Sequence, residues 1–222
     1  MTPQSPLSDV IATATAYLSG IDPIMADAIK QVGPCTLVPN SDIFEALIDA
    51  IISQQISVKA ADTMVARLRA ATPGAVLTPD ALIAFQHDDL RALGFTTPKS
   101  RYIRNLTEQV VSGQLVLEQL PALDDETVIS KLTALKGIGR WTAEMILIFC
   151  LARPDVLPVD DLGFVEGVRA AYALPTRPTP KEMRARGEIW RPFRTFATWY
   201  MWSVRRLSLL QKERPRTRII SL

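Results

Sequence analysis

The sequence predicts an all-α fold on three observations. Apolar residues recur with helical spacing in nearly every segment, strand-like alternation is almost absent, and the breaks between segments carry capping residues, proline or glycine. Asp22-Pro23 sets an N-cap before a first-position proline and opens a helix to about Val32. After the connector 32–40, Asp42 caps a helix whose apolar face is Phe44, Leu47, Ile48, Ile51 and Ile52. Ser53-Gln54-Gln55-Ile56-Ser57 interrupts that face with amides, and the next helix runs to about Ala71, where Thr72-Pro73-Gly74 stops it. Short helices are expected around Pro79–Phe85 and Asp88–Leu93, with His87 as a structural residue in the turn between them. A long helix then carries Tyr102, Ile103 and Leu106, and Asp124 or Asp125 caps the one after it. Beyond Asp161 come a helix to about Tyr172, a proline-marked loop from Pro175 to Pro180, and a last pair of helices broken by Pro192.

At 222 residues the chain can bury a sizeable core, as one domain or two closely packed lobes. Its net charge is only +2, so no global basic field announces a polyanionic partner, yet the part beyond Arg177 is locally basic. Lys181, Arg184, Arg186, Arg191, Arg194, Arg205, Arg206, Lys212, Arg214, Arg216 and Arg218 stand there against Glu182, Glu188 and Glu213. Cys35 and Cys150 are the only cysteines and His87 the only histidine, too few for a Cys/His zinc site or a Cys-ligated iron–sulfur cluster within one chain. Cys150 sits in the apolar run 145–152 and reads as a buried free thiol. No basic n-region opens the chain and no apolar run approaches the ~20 residues of a membrane span, so a cytosolic protein without a membrane partner is expected.

The densest signal is Leu135-Lys136-Gly137-Ile138-Gly139-Arg140-Trp141-Thr142-Ala143, followed after one helix length by Leu157-Pro158-Val159-Asp160-Asp161. Two glycines around one buried apolar residue make a tight hairpin free of Cβ clash. The helix that follows would aim its first N–H groups outward as an anion site suited to a phosphate. A carboxylate emerging just beyond that helix would repel phosphate, so chemistry is its plausible use. Gly-Ile-Gly alone is a weak sign, since such turns also join helices for purely structural reasons.

The composite of helix, Leu-x-Gly-Ile-Gly-Arg, helix and Val-Asp-Asp resembles the signature of the HhH-GPD superfamily of DNA base-excision glycosylases. Gly137 to Ala143 is similar to the Gly-Ile-Gly-Arg-Trp-Thr-Ala pattern of its AlkA-type 3-methyladenine DNA glycosylase II branch, and the distance from Gly139 to Asp161 fits that branch. The resemblance extends from the Phe44-Glu45-x-Leu47 helix to Arg191-Pro192-Phe193-Arg194 and Trp202. It implies a two-lobed helix-hairpin-helix fold with DNA crossing the cleft. One lobe would span about 44–153, and the other would combine 1–43 with 154–222. The chain looks like a short form, starting too near the Phe44 helix to hold the N-terminal β domain of longer members.

By the same resemblance Asp161 is the catalytic carboxylate, which stabilises an oxocarbenium-like state and orients water, while Asp160 supports the turn. A helix N-cap is the ordinary role for such an aspartate, and both roles can hold together. A lysine after Gly-Ile-Gly-Arg serves as Schiff-base nucleophile in members that also cut the strand. Trp141 stands there instead, which implies a monofunctional enzyme that leaves an abasic site. Trp141, Trp202, Met145 and Leu162 would line the base pocket, Met145 replacing a tyrosine of the longer members. Aromatic faces suit a base made cationic by alkylation. Trp190 and Trp199 are assigned to packing. Gln55 would fill the gap left by the extruded nucleotide, a polar turn being the plain alternative. Lys136, Gly137, Gly139, Arg140 and Thr142 would grip the DNA backbone at the hairpin. Lys99, Arg101, Arg104 and the arginines from Arg205 onward are further candidate phosphate contacts.

The implied function is removal of alkylated purines of the 3-methyladenine and 7-methylguanine class from double-stranded DNA. A monomer is expected, in the cytoplasm and with the nucleoid in a bacterium. No catalytic metal or organic cofactor is implied, although the hairpin carbonyls could hold a structural monovalent cation. A glycosylase for ethenoadenine, hypoxanthine or a pyrimidine lesion, and a non-catalytic helix-hairpin-helix module for DNA binding, are the alternatives. Asp161 beside an aromatic cluster argues against the last.

Overall fold

The computed structural model describes residues 6–213, which form twelve α-helices and no strand. In chain order these are α1 (Pro6–Ile21), α2 (Pro23–Val32), α3 (Ile43–Ser53), α4 (Val58–Ala71), α5 (Pro79–Leu82) and α6 (His87–Ala92). Then follow α7 (Thr97–Val111), α8 (Asp125–Thr133), α9 (Arg140–Phe149), α10 (Leu162–Ala171), α11 (Pro180–Gly187) and α12 (Arg194–Glu213). Arg214, Arg216 and Arg218 of the basic C-terminal part lie outside the described residues, as does the side chain of Lys212. No described helix is long and apolar enough to cross a membrane.

Two compact units divide the chain: Val38–Ala152 forms one, and Met1–Leu37 with Arg153–Leu222 forms the other. The first boundary falls at Leu37, ahead of the α3 cap, because Asn40 N donates to the Phe149 carbonyl at 2.7 Å and ties the connector to α9.

In the 38–152 unit, Asp42 Oδ1 accepts from Glu45 N at 2.8 Å and starts α3, whose Phe44, Leu47, Ile48, Ile51 and Ile52 are all buried. This apolar stripe supplies most of α3's stability, since an isolated 11-residue helix is marginal in water. Asp124 is the cap of α8, accepting from Thr127 N at 2.9 Å. Periodicity overstates α5, which ends at Leu82 rather than near Phe85, and starts the next helix one residue late. His87 is the first residue of α6, and its Nδ1 lies 2.8 Å from the buried Ser100 hydroxyl. That partner accounts for the lone histidine without chemistry.

Sequence periodicity opens the first helix at Asp22, and the structure adds α1 before it. Asp22 is both the cap of α2 and the polar centre of the second unit's core. Its Oδ1 accepts from Ile24 N at 3.0 Å and Met25 N at 3.3 Å, and its Oδ2 accepts from Trp190 Nε1 at 3.1 Å and from the Tyr172 hydroxyl. Burial alone would raise the Asp22 carboxyl, but these four donors outweigh it and hold the group below the usual aspartate value. Trp190 is fully buried there, which fits its assignment to packing. α10 lies directly on α12, close enough that a Cβ at Gly167 would overlap the Met201 backbone, 2.6 Å from its carbonyl carbon.

Candidate active site and nucleic-acid interface

The hairpin between α8 and α9 closes through Ile138 N donating to the Leu135 carbonyl at 3.1 Å, with Ile138 buried beneath it. Only one of its glycines is conformationally required. Gly137 has φ +92° and packs against Tyr102, where a Cβ would sit 2.5 Å from ring Cγ. Gly139, expected to be needed for the same reason, has φ −96° with open space at its Cβ position. It serves as the N-cap of α9, where no side chain accepts from the first turn. Lys136 is exposed at the hairpin, whereas the Thr142 side chain is buried. Arg140 is held by two carboxylates, with Nη2 2.6 Å from Glu126 Oε1 and Nε 3.1 Å from the buried Glu144 Oε1. The Glu126 pairing keeps the guanidinium above, and Glu126 below, their ordinary values. Two acids therefore already balance the charge expected to meet a phosphate.

Residues 53–57 form an exposed tip rather than a simple break in α3. Gln55 takes φ +58°, the left-handed region that costs a non-glycine residue roughly 1–2 kcal/mol. Its neighbour anchors the tip: Gln54 Nε2 donates to the Gly137 carbonyl at 2.7 Å. Lys99 Nζ donates to the Ile52 carbonyl at 2.6 Å, satisfying the end of α3, and burial lowers its ammonium below the usual lysine value. Lys99, a candidate phosphate contact by sequence, is thus engaged as a cap at the end of α3. Arg104 likewise bonds the Phe85 carbonyl and Glu108.

A cavity of about 750 Å³ lies in this unit between α3 and α9, with Gln54 and Gln55 at one edge and Trp141, Met145 and Phe149 on the α9 side. Trp141 is 47% exposed, so its indole offers a broad aromatic face. Cys150, expected to be buried, is half-buried and lines the same cavity because α9 ends there and the chain turns outward. Burial still pushes its thiol up to about 11.

In the other unit, Asp161 caps α10. Its Oδ1 accepts from Phe164 N at 2.6 Å and from Trp202 Nε1 at 2.7 Å. The cap fixes the backbone end of the carboxylate and the indole its direction, so the ordinary role and a chemical one coexist. A Cβ at Gly163 would come within 3.1 Å of Asp161 Oδ1, 3.2 Å of Trp202 Cδ1 and 3.3 Å of Arg205 Nη1. Glycine there leaves the acid room over the first helical turn. Asp160 is exposed, and Leu162 is 53% exposed beside the acid. Among the described residues no group of three or more His, Cys, Asp or Glu gathers as a metal site.

The structure adds Gln54, Lys99 and Tyr102 as supports of the tip and hairpin, and Gly163 as a spacer beside Asp161. Only the second of the paired glutamines drew attention in the sequence. Helical spacing gives no direct signal that Tyr102 and Lys99 meet residues 35 and 47 positions away.

Residues 48–192 match the model of the HhH-GPD superfamily base excision DNA repair proteins. A DNA-3-methyladenine glycosylase 1 from Schizosaccharomyces pombe is 36% identical over 203 residues, covering 89% of each chain. The solved structure of a 3-methyladenine DNA glycosylase of that yeast with abasic DNA superposes with a TM-score of 0.75 at 37% identity, covering 86% of this chain and 95% of that one. A DNA-3-methyladenine glycosidase from Bacillus halodurans reaches 0.81 at 32% identity, covering 96% and 94%. On the family match, the all-helical fold and the hairpin followed by an aspartate cap, this chain belongs to the HhH-GPD superfamily of base excision DNA repair proteins.

Proposed function

We propose that this protein is a monofunctional DNA glycosylase that hydrolyses the N-glycosidic bond of alkylated purines, 3-methyladenine and 7-methylguanine above all, in double-stranded DNA. The observation that carries the reading is the Asp161 carboxylate, oriented by Trp202 Nε1 at 2.7 Å and by its own helix. The relatives named for 3-methyladenine favour the alkylpurine class over other lesions. Alkylation makes the base cationic and a ready leaving group. The bond from C1′ to the ring nitrogen breaks with its electron pair passing to the base, while Asp161 stabilises the positive charge left on the sugar. Water then adds to C1′ and gives up a proton, leaving an intact strand with an abasic site. Trp202 and Leu162, beside Asp161, contact the extruded base, the indole through cation–π attraction of about 1–2 kcal/mol when desolvated; Trp141 and Met145 line the cavity of their own unit. Gly137, Gly139 and the first turn of α9, including the Thr142 backbone, meet a phosphate through N–H groups and the helix dipole, with Lys136 adding charge.

At the hairpin the Leu135 and Gly137 carbonyls each accept one hydrogen bond, from Ile138 N and Gln54 Nε2, and no step is routed through an ion.

Purified protein incubated with methylated duplex should release 3-methyladenine and 7-methylguanine, identified by chromatography, and leave the strand uncut. Borohydride should trap no covalent complex, because Trp141 stands where a Schiff-base lysine would. Binding without release would leave a non-catalytic module, and trapping that depends on Lys136 would overturn the monofunctional reading.

Gln55, exposed at a tip braced from both sides, fills the gap left by the flipped nucleotide. Gln55→Ala should slow single-turnover excision more for a lesion in a stable pair than for the same lesion opposite a mismatch, because restacking opposes extrusion by a few kcal/mol chiefly in the paired duplex. An equal defect in both contexts would make Gln55 an ordinary turn residue.

A further inference from the structure

Asp161 has a cation for a neighbour. Arg205 follows Trp202 by one helical turn on α12 and shares its face. The Cβ position of Gly163 is 3.1 Å from Asp161 Oδ1, 3.2 Å from Trp202 Cδ1 and 3.3 Å from Arg205 Nη1, so carboxylate, indole and guanidinium surround a gap one methyl wide. Other arginines of this unit are held by acids, Arg169 and Arg177 by Glu166, and Arg191 and Arg194 by Asp155. Among the described residues Arg205 makes no side-chain hydrogen bond or ion pair, and it is half-buried with no nitrogen enclosed. Its donors therefore face solvent next to the acid.

We infer that Arg205 binds a phosphate adjoining the sugar of the extruded nucleotide, and so seats C1′ against Asp161. The inference rests on the glycosylase reading above. Both phosphates of a nucleotide hang from the sugar that carries C1′, so a carboxylate facing C1′ must approach negative charge. Attraction between Arg205 and one of those phosphates offsets the repulsion that Asp161 brings. Arginine suits the task, because its planar fork meets two phosphate oxygens at once. The side chain is placed for it, since its guanidinium lies within a methyl's width of the carboxylate and its donors are open to a ligand. Of the basic residues in the C-terminal part of the chain, Arg205 is thereby given a partner on the nucleotide that reacts, whereas a general basic field would touch phosphates anywhere along the duplex.

The probe is a duplex with a single tetrahydrofuran abasic site, made with a neutral methylphosphonate in place of the phosphate 5′ or 3′ to that site. For the wild-type protein one of the two replacements should weaken binding about tenfold, and Arg205→Ala should weaken binding to the all-phosphate duplex by a similar factor. In Arg205→Ala the same replacement should cost nothing further, because the phosphate charge and its partner make one interaction. Arg205→Lys keeps the charge without the fork and should retain part of the affinity. Arg206→Ala removes an equal charge one residue on, and its loss should multiply with that of the methylphosphonate. A wild-type protein indifferent to both replacements overturns the assignment, and needs no variant to do so. Losses that multiply in Arg205→Ala, or the same coupling in Arg206→Ala, overturn it too. Base release from methylated DNA, measured separately on the wild-type protein, tests the glycosylase reading itself.

Discussion

Asp161→Asn is expected to reduce base release by at least about 10²–10³-fold while leaving binding to an abasic-site duplex within a few-fold of wild type. Asparagine is as good an N-cap as aspartate and keeps an oxygen for Phe164 N and Trp202 Nε1, so α10 starts where it did. What disappears is the negative charge set against the cation developing on the sugar. Affinity should survive, since a carboxylate contributes nothing favourable to holding phosphates. Asp160→Asn, on an exposed neighbour, should be much milder. Single-turnover release and a melting curve on the same preparations check this, and a fully active, folded Asp161→Asn protein would remove the residue from the chemistry.

Gly167→Ala should be the most damaging single methyl in the second unit. Its Cβ would fall on the Met201 backbone, a group that cannot rotate away, so α10 and α12 must separate. A cost of about 3 kcal/mol corresponds to a fall in Tm of roughly 6–12 °C for a chain of this size. Release should fall as well even at temperatures where the protein stays folded, because α10 carries Asp161 and α12 carries the Trp202 that orients it. Gly20→Ala supplies the contrast: nothing lies within 4 Å of its Cβ position, and the variant should be neutral or slightly more stable. Comparable melting of the two variants would show that the α10–α12 approach is not tight.

Most helices were legible because their start signals are local. Asp22-Pro23, Asp42, Asp124 and Asp161 each accept from backbone at their own helix's first turn, and each start is visible in three or four residues of sequence, although only the structure decides for Asp124 over Asp125. The same local signal marks Asp161 only as a cap, and its candidacy as the acid comes from the resemblance carried by the 135–161 segment. Contacts that span the chain were not. Nothing near Lys99 says that it closes α3, and nothing near Arg140 says that Glu126 has claimed it. Charge is visible in a sequence, but its partner is fixed by packing. α1 carries its apolar residues among Ala, Ser and Thr, which blurs the periodicity that marks α3 so plainly.

The bracing of the 53–57 tip bears on how such a protein would search DNA. Gln55 already sits in its uncommon backbone state, with Lys99 closing the helix behind it and Gln54 tied to the hairpin carbonyl. For the wedge role proposed for Gln55, the ordering entropy of the loop would therefore be met once, during folding, and not again at every base pair visited. A floppy tip would have to be organised at each step, and that repeated cost would slow inspection of undamaged sequence. A rigid one, coupled to the hairpin through a single amide, lets the probe and the hairpin advance together, so that the local stability of each pair decides where the protein stops.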